Sequence, residues 1–195
     1  MKKIIFLFAA AVSLCLTACA QSHPKQESMK KAIVVYFSAT GTTEGVARRL
    51  ATVAHADAMA IEPVQPYTSA DLDWTNNQSR STLEMKNPKS RPAIKTPEKS
   101  LEAYDVVFIG YPIWWDLAPT VVNTFIESQQ LEGKMVVPFA TSGGSSISNS
   151  AAQLKKQYPN IKWKAGKLLN SPSDEELTQW VEVLELSTKM ERSVD

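Results

Sequence analysis

Cysteine is nearly absent from this 195-residue sequence, because the only two, Cys15 and Cys19, lie close to its start. The rest of the chain has no thiol for a disulfide, a nucleophile, a thiolate zinc site or an iron–sulfur cluster. The sequence also lacks an excess of either charge, with 21 basic residues, 20 acidic residues and a net charge of +1. This balance argues against a nucleic-acid-binding protein.

A hydrophobic run long enough to span a membrane is missing too. Residues 4–16 are apolar, but at ~1.5 Å per helical residue they fall short of a bilayer core of ~30 Å. They follow Lys2 and Lys3, as in a secretory signal peptide, and lead to the sequence Leu-Thr-Ala-Cys that ends at Cys19. This sequence resembles the lipobox of bacterial lipoproteins. The resemblance implies that residues 1–18 are cleaved and that Cys19 is lipidated.

The signal peptide predicts a protein of the bacterial cell envelope. Residues 19–29 would form a flexible tether, and residues 30–195 a folded domain held at the membrane only by its lipid. Ala20 after Cys19 favours the outer membrane, facing the periplasm, if the organism is Gram-negative. Removal of residues 1–18 leaves 19 basic and 20 acidic residues, so the net charge of the mature chain is −1.

Beyond the tether, short apolar runs alternate with segments of helical periodicity. The runs predict strands at residues 32–37, 58–61, 106–109, 135–140 and 161–165. Pro138 argues against a central position for the fourth strand, since proline cannot donate to the ladder. Ser173 and Glu176 form a predicted capping box before a helix, in which Trp180 would be a core residue. The order predicts a single α/β domain with a doubly wound parallel sheet.

Residues 63–100 interrupt this alternation as an insert between the second and third strands. The segment is polar, contains five prolines and is too long for a plain loop. One interpretation is a surface excursion with one or two helical turns. The other is that Trp74 or Arg80 folds back over a ligand.

The turns after the first, third and fourth strands should meet at one edge of the sheet, where ligands of open α/β folds bind. The first, residues 38–43, has four hydroxyls and a glycine before a helix N-terminus, which is typical of a phosphate site. The second, residues 111–115, brings three large rings, of which we expect one Trp to pack inward. The third, residues 141–145, is small and offers backbone N–H donors.

These three motifs in this order resemble those of the flavodoxin family, over residues 30 to about 186. The resemblance implies a five-stranded parallel sheet in the order 2-1-3-4-5, in three α-β-α layers, with FMN bound non-covalently. It implies that the FMN phosphate is bound by Ser38, Ala39, Thr40, Gly41, Thr42 and Thr43. The ring would be flanked by Pro112, Ile113, Trp114 and Trp115 and would receive hydrogen bonds from Ser142, Gly143 and Gly144. No catalytic side chain and no metal is implied.

Three functions remain open. The first is an electron carrier whose partner is a redox protein or a membrane electron donor, acting as a monomer or weak dimer. The second is an FMN-dependent NAD(P)H oxidoreductase for quinones or nitro compounds. The third is a binding module that has lost the flavin. Familiar flavodoxins are strongly acidic and lack a lipoprotein signal, whereas this mature chain is nearly neutral, so its partner should differ from theirs.

Overall fold

A computed structural model describes residues 30–190 of the chain. The predicted signal peptide (residues 1–18) and the whole predicted tether (residues 19–29), including Cys19, lie outside the described residues, as do residues 191–195. Within residues 30–190, no helix combines the length and the apolar composition needed to cross a membrane.

Strands and helices alternate along the chain as the periodicity predicts. The elements are β1 (Ala32–Tyr36), α1 (Thr42–Val53), β2 (Asp57–Ala60), α2 (Arg80–Lys86), β3 (Val106–Pro112), α3 (Thr120–Ser128), β4 (Met135–Thr141), α4 (Ser148–Gln157), β5 (Lys162–Trp163), β6 (Lys167–Leu168) and α5 (Asp174–Met190). Helix α5 begins with the predicted capping box, since Ser173 N donates to Glu176 Oε2 at 3.0 Å and Glu176 N to Ser173 Oγ at 3.1 Å.

The strands form one parallel sheet in the order β2-β1-β3-β4-β5, which confirms the predicted fold and order. In the centre of the sheet, Val34 lies beside Phe108, and Phe108 beside Val137. These side chains are at most 3% exposed. Strands buried on both faces need apolar residues at successive positions, which is why they appear in the sequence as unbroken hydrophobic runs.

Successive residues of each strand point to opposite faces, so each face has its own core. One face packs Val34 and Phe108 against α1 and α5, and Trp180 contacts Phe108 edge-on at 5.8 Å between ring centroids. The other face packs Ile33 and Val107 against α3 and α4. The three-layer α-β-α arrangement follows from this alternation.

The strand predicted at residues 161–165 is reduced to β5, and β6 follows it after a break that accommodates Pro138. Both β5 and β6 pair with β4, on the same side of it. The carbonyls of Val136 and Ala140 accept hydrogen bonds from Lys164 N at 2.9 Å and Leu169 N at 2.7 Å. Pro138 lies midway between Val136 and Ala140 in β4, and alternate residues of a strand direct their backbone N–H and C=O groups to the same side. The Pro138 nitrogen therefore faces the break between β5 and β6. A proline therefore occupies this interior strand without loss of a ladder hydrogen bond, contrary to the expectation drawn from its residue type.

The insert closes on itself at its base and is tied to the domain. Val64 N donates to Ala93 O at 2.9 Å and Lys95 N to Glu62 O at 2.8 Å, so the two ends of the segment pair with each other. The Arg91 guanidinium pairs with Glu127 of α3 at 2.7 Å. The helix of the insert, α2, has Ser79 as its N-cap, and the Ser79 side chain accepts a hydrogen bond from Thr82 N.

Candidate functional site

A cavity of about 750 Å³ opens at the carboxyl ends of β1, β3 and β4. Most of the residues predicted for the site line it, namely Ala39, Thr40, Thr42, Thr43, Pro112, Ile113, Trp114, Trp115, Ser142 and Gly143. Ser38, Gly41 and Gly144 do not line it. Five further residues do: Leu72, Trp74, Ser81, Thr141 and Asn170. The three turns thus meet at one cavity, as the parallel topology requires.

Helix α1 begins at this cavity without a side-chain cap. Its N-cap, Gly41, has φ 90°, a left-handed conformation that glycine adopts without steric cost. Gly45 N donates to Gly41 O at 2.9 Å, whereas the first-turn amides of Thr42, Thr43 and Glu44 precede the first intrahelical bond. Unpaired amides and the positive end of the helix dipole make this an anion site.

The hydroxyls of this loop divide into two groups. Thr43 Oγ1 is buried and lies 2.8 Å from Thr141 Oγ1, so it joins the start of α1 to the end of β4. Ser38 Oγ accepts from Gly41 N at 3.1 Å and shapes the turn. Thr40 and Thr42 are exposed, with their hydroxyls 3.4 Å apart. Thr40 and Thr42 are therefore the hydroxyls best placed to bind an anion.

An anion at this site would be attracted by dipoles rather than by charged side chains. No lysine or arginine is among the residues that line the cavity in the described part of the chain. The nearby acid, Glu44, is neutralised by Arg48 at 2.7 Å and accepts from the Tyr36 hydroxyl at 3.3 Å. Burial, together with Glu44, raises the pKa of Tyr36, so this phenol stays protonated as a donor.

The two tryptophans of the second loop face different surroundings. Trp114 packs in an aromatic cluster, with ring centroids 5.6 Å from Phe37 and 5.2 Å from Tyr67, in edge-to-face contacts. Trp115 is 44% exposed and lines the cavity. Trp114 is thus the inward-packed ring that the sequence led us to expect, although it also lines the cavity, and Trp115 is the more exposed of the two rings.

Trp115 occupies a strained turn. Trp114 N and Leu117 O, and Leu117 N and Trp114 O, are each 3.0 Å apart, so Trp115 and Asp116 form the tip of a two-residue turn. Both have positive φ, 48° and 64°, as in a type I′ turn that normally holds Asn and Gly. Asn149 Nδ2 donates to Asp116 Oδ2 at 2.8 Å and supports the turn. Strain of this kind is typical of functional sites, where it holds a side chain in place.

In the third loop, most backbone donors already have partners. Ser142 N donates to Asn170 Oδ1 at 2.8 Å, and Gly144 N and Ser145 N donate to Ser142 Oγ at 3.1 and 2.8 Å. Within the described residues, Gly143 N is left to serve a ligand, and Gly143 lines the cavity. Among the backbone N–H groups of Ser142, Gly143 and Gly144, that of Gly143 is therefore the one available to a ligand.

Taken together, the cavity has an anion site at α1, an aromatic face at Trp115 and a backbone donor at Gly143. This arrangement suits a ligand with a phosphate and a flat ring that has a polar edge.

Comparisons with known proteins agree with this architecture. A family model described as Flavodoxin matches residues 31–184. The chain belongs to the flavodoxin family. A solved structure from Bacteroides eggerthii DSM 20697, provisionally described as a flavoprotein, is 58% identical with a TM-score of 0.77, covering 79% of this chain and 97% of that one.

A second solved structure with the same description, from Bacteroides uniformis ATCC 8492, is 50% identical with a TM-score of 0.76, covering 78% of this chain and 98% of that one. A flavoprotein from Lactobacillus acidophilus NCFM, solved in complex with FMN, shares the fold at 18% identity and a TM-score of 0.62, over 77% of this chain and 98% of that one. No match was found among curated proteins.

The insert forms one wall of the cavity, and the sequence motifs alone did not predict this wall. Leu72, Trp74 and Ser81 all come from it, and Trp74 is 76% exposed. Of the two residues considered as folding over a ligand, Trp74 lines the cavity. Arg80 instead pairs with Glu84 at 2.7 Å.

Tyr67 connects the insert to the second loop of the site, residues 111–115, which we call the aromatic loop. Its ring contacts Phe37 and Trp114, its hydroxyl donates to Glu84, and the Arg80 guanidinium lies 4.0 Å from its centroid. Burial, then the bond to Glu84, raises the pKa of Tyr67 well above its usual value, so the phenol remains neutral. No local sequence signal pairs Tyr67 with Trp114, because the contact joins distant segments.

Proposed function

We propose that this protein binds FMN non-covalently in the cavity and carries electrons at the bacterial cell envelope. The observation that carries the proposal is the convergence of the uncapped α1 terminus and the exposed face of Trp115 on one cavity. The FMN-bound Lactobacillus acidophilus flavoprotein, which has the same fold, supports it. FMN would supply the redox chemistry, and the chain would bind and orient it.

The phosphate and the ring of the flavin would each have a counterpart among the described residues. The first-turn amides of α1 and the hydroxyls of Thr40 and Thr42 would hold the phosphate. Trp115 would cover one face of the ring, and Gly143 N would donate to its polar edge. No general acid or base is needed, which suits electron transfer rather than turnover of a substrate.

The location and the partner belong to the same proposal. The lipobox motif that ends at Cys19 supports a lipid anchor, and the partner would be a redox protein or a membrane electron donor. A domain outside the cytoplasmic membrane has no pool of reduced nicotinamide, so electrons would come from such a neighbour.

An absorbance spectrum followed by FMN titration of the purified protein tests the proposal. We expect a yellow protein, or a colourless one that takes up one equivalent of FMN, found in the membrane fraction of the producing cells. Nicotinamide alone should give negligible turnover. A protein that takes up no FMN would instead be a flavin-less binding module.

One observation favours a second function, an FMN-dependent NAD(P)H oxidoreductase for quinones or nitro compounds. Trp74 and Leu72 add an apolar surface to the cavity beyond the three flavin loops, and Trp74 is largely exposed. A flat substrate could stack there. Steady NAD(P)H consumption by the purified protein with a quinone would support this function over electron carriage.

Two variants of Trp115 distinguish the contribution of its ring to FMN binding from the cost of its backbone strain to stability. Trp115→Ala and Trp115→Gly should both weaken FMN binding by about tenfold or more, since both remove the stacking surface. The glycine variant should be more stable than the alanine variant by about 1 kcal/mol, because φ is 48° at this position. Fluorescence titration measures the first effect and urea unfolding of the FMN-free protein the second. An alanine variant as stable as the glycine variant would contradict the strain argument.

A further inference from the structure

Two buried side-chain oxygens in the described chain have no hydrogen-bond partner, Ser81 Oγ and Thr120 Oγ1. Buried hydroxyls are almost always paired in folded proteins, so each such group calls for an explanation. The two differ in position. Ser81 lines the cavity, whereas Thr120, at the start of α3, is not among the residues that line it.

The unpaired state of Ser81 is specific to this residue and not general to its surroundings. Its neighbours Ser79 and Thr82 are equally buried, but Ser79 Oγ donates to Thr82 Oγ1 at 2.8 Å. Ser81 N donates to Asp71 O at 3.0 Å, which fixes the backbone and leaves the hydroxyl unsatisfied. Ser81 is 1% exposed, so bulk water does not satisfy it.

The segment that carries Ser81 is held firmly. Glu84, one turn along α2, binds Arg80 and the Tyr67 hydroxyl, and the Tyr67 ring packs against Trp114 of the aromatic loop. The helix is therefore connected to the same loop that presents Trp115. A hydroxyl on a segment held this firmly loses little conformational freedom when it binds a ligand.

We propose that Ser81 forms a hydrogen bond with the FMN bound in the cavity, so that the insert is a fourth flavin-binding segment beside the three turns. This inference rests on the proposed FMN binding. It explains why an unpaired hydroxyl persists at Ser81: the ligand completes it. The insert thus contributes to cofactor affinity and is more than a surface excursion.

Ser81→Ala tests the proposal through two measurements on the purified protein. The FMN dissociation constant, from quenching of flavin fluorescence, should rise about tenfold. The melting temperature of the FMN-free protein should stay the same or rise, because the removed hydroxyl has no partner there. A residue with a purely structural role would instead lower the melting temperature.

Thr120→Val is the matched control, since it removes the other unpaired buried hydroxyl and keeps the shape of the side chain. It should leave FMN affinity within about twofold of wild type. Wild-type affinity in Ser81→Ala, or weak binding accompanied by a lowered melting temperature, overturns the role of Ser81 alone. A wild-type protein that takes up no FMN overturns the proposed function and this inference together.

Discussion

Replacement of Thr40 and Thr42 together by alanine should weaken FMN binding by about 100-fold or more. Both hydroxyls are exposed beside the uncapped start of α1, where the phosphate would lie. A hydrogen bond to a charged group contributes about 1.5–3 kcal/mol, or roughly tenfold to 100-fold in affinity. The hydroxyls lie 3.4 Å apart, so their contributions should be coupled, and the single variants are needed to measure that coupling.

Fluorescence titration of FMN is the measurement, and Thr52→Ala is the control. Thr52 is also an exposed threonine of α1, but it lies at the opposite end, where its hydroxyl donates to Arg48 O at 3.1 Å. Thr52→Ala should bind FMN like wild type. Unchanged affinity in the double variant would show that the phosphate does not bind at this loop.

Gly110→Ala should destabilise the protein by about 3 kcal/mol, the largest expected effect of a single methyl group on its stability. A Cβ at Gly110 would overlap three carbons of the Phe139 ring, its neighbour across β3 and β4. Phe139 is 0% exposed and packed in the core, so the ring has no space into which it can move. The strands would have to separate, or the ring would have to leave its rotamer.

Gly45→Ala should have the opposite effect on stability and serves as the control for Gly110→Ala. Gly45 is exposed within α1, and no atom lies within 4 Å of the position of its Cβ. Alanine there should raise the free energy of unfolding by about 0.5–1 kcal/mol, because it favours the helix. Thermal and urea unfolding measure both variants. If Gly110→Ala were as stable as wild type, the close packing of Phe139 on β3 would be wrong.

The same pair of strands shows how far residue patterns predicted the fold. The runs before Gly110 and around Phe139 identify buried strands because burial on both faces demands continuous apolar residues. Pro138 wrongly argued against an interior position for β4, although residues 135–140 were predicted as a strand, because a residue type does not say which side of a strand its nitrogen faces. The Pro138 nitrogen faces the break between β5 and β6, which no local pattern revealed.

The candidate site, like the fold, was predicted from the sequence only in part. The hydroxyls and glycine before α1, the tryptophan pair and the small residues after β4 were all visible in sequence, and most of them line the cavity. The sequence did not show that the Ser142 amide donates to Asn170 Oδ1 and the Gly144 amide to Ser142 Oγ. Nor did it assign Ser81 and Asn170, single polar residues in segments without a motif.

The sequence by itself determined the alternation of strands and helices and the three turns that share one edge of the sheet, because burial and turn formation depend on neighbouring residues. Only the tertiary structure decided which of the two tryptophans at the cavity is the more exposed, since the ring of Tyr67 in the insert packs against Trp114 and leaves Trp115 44% exposed. The tertiary structure also placed Ser81 at the cavity, with a hydroxyl that has no hydrogen-bond partner among the described residues. Contacts between distant segments set the exposure of a side chain, and local periodicity carries no record of them.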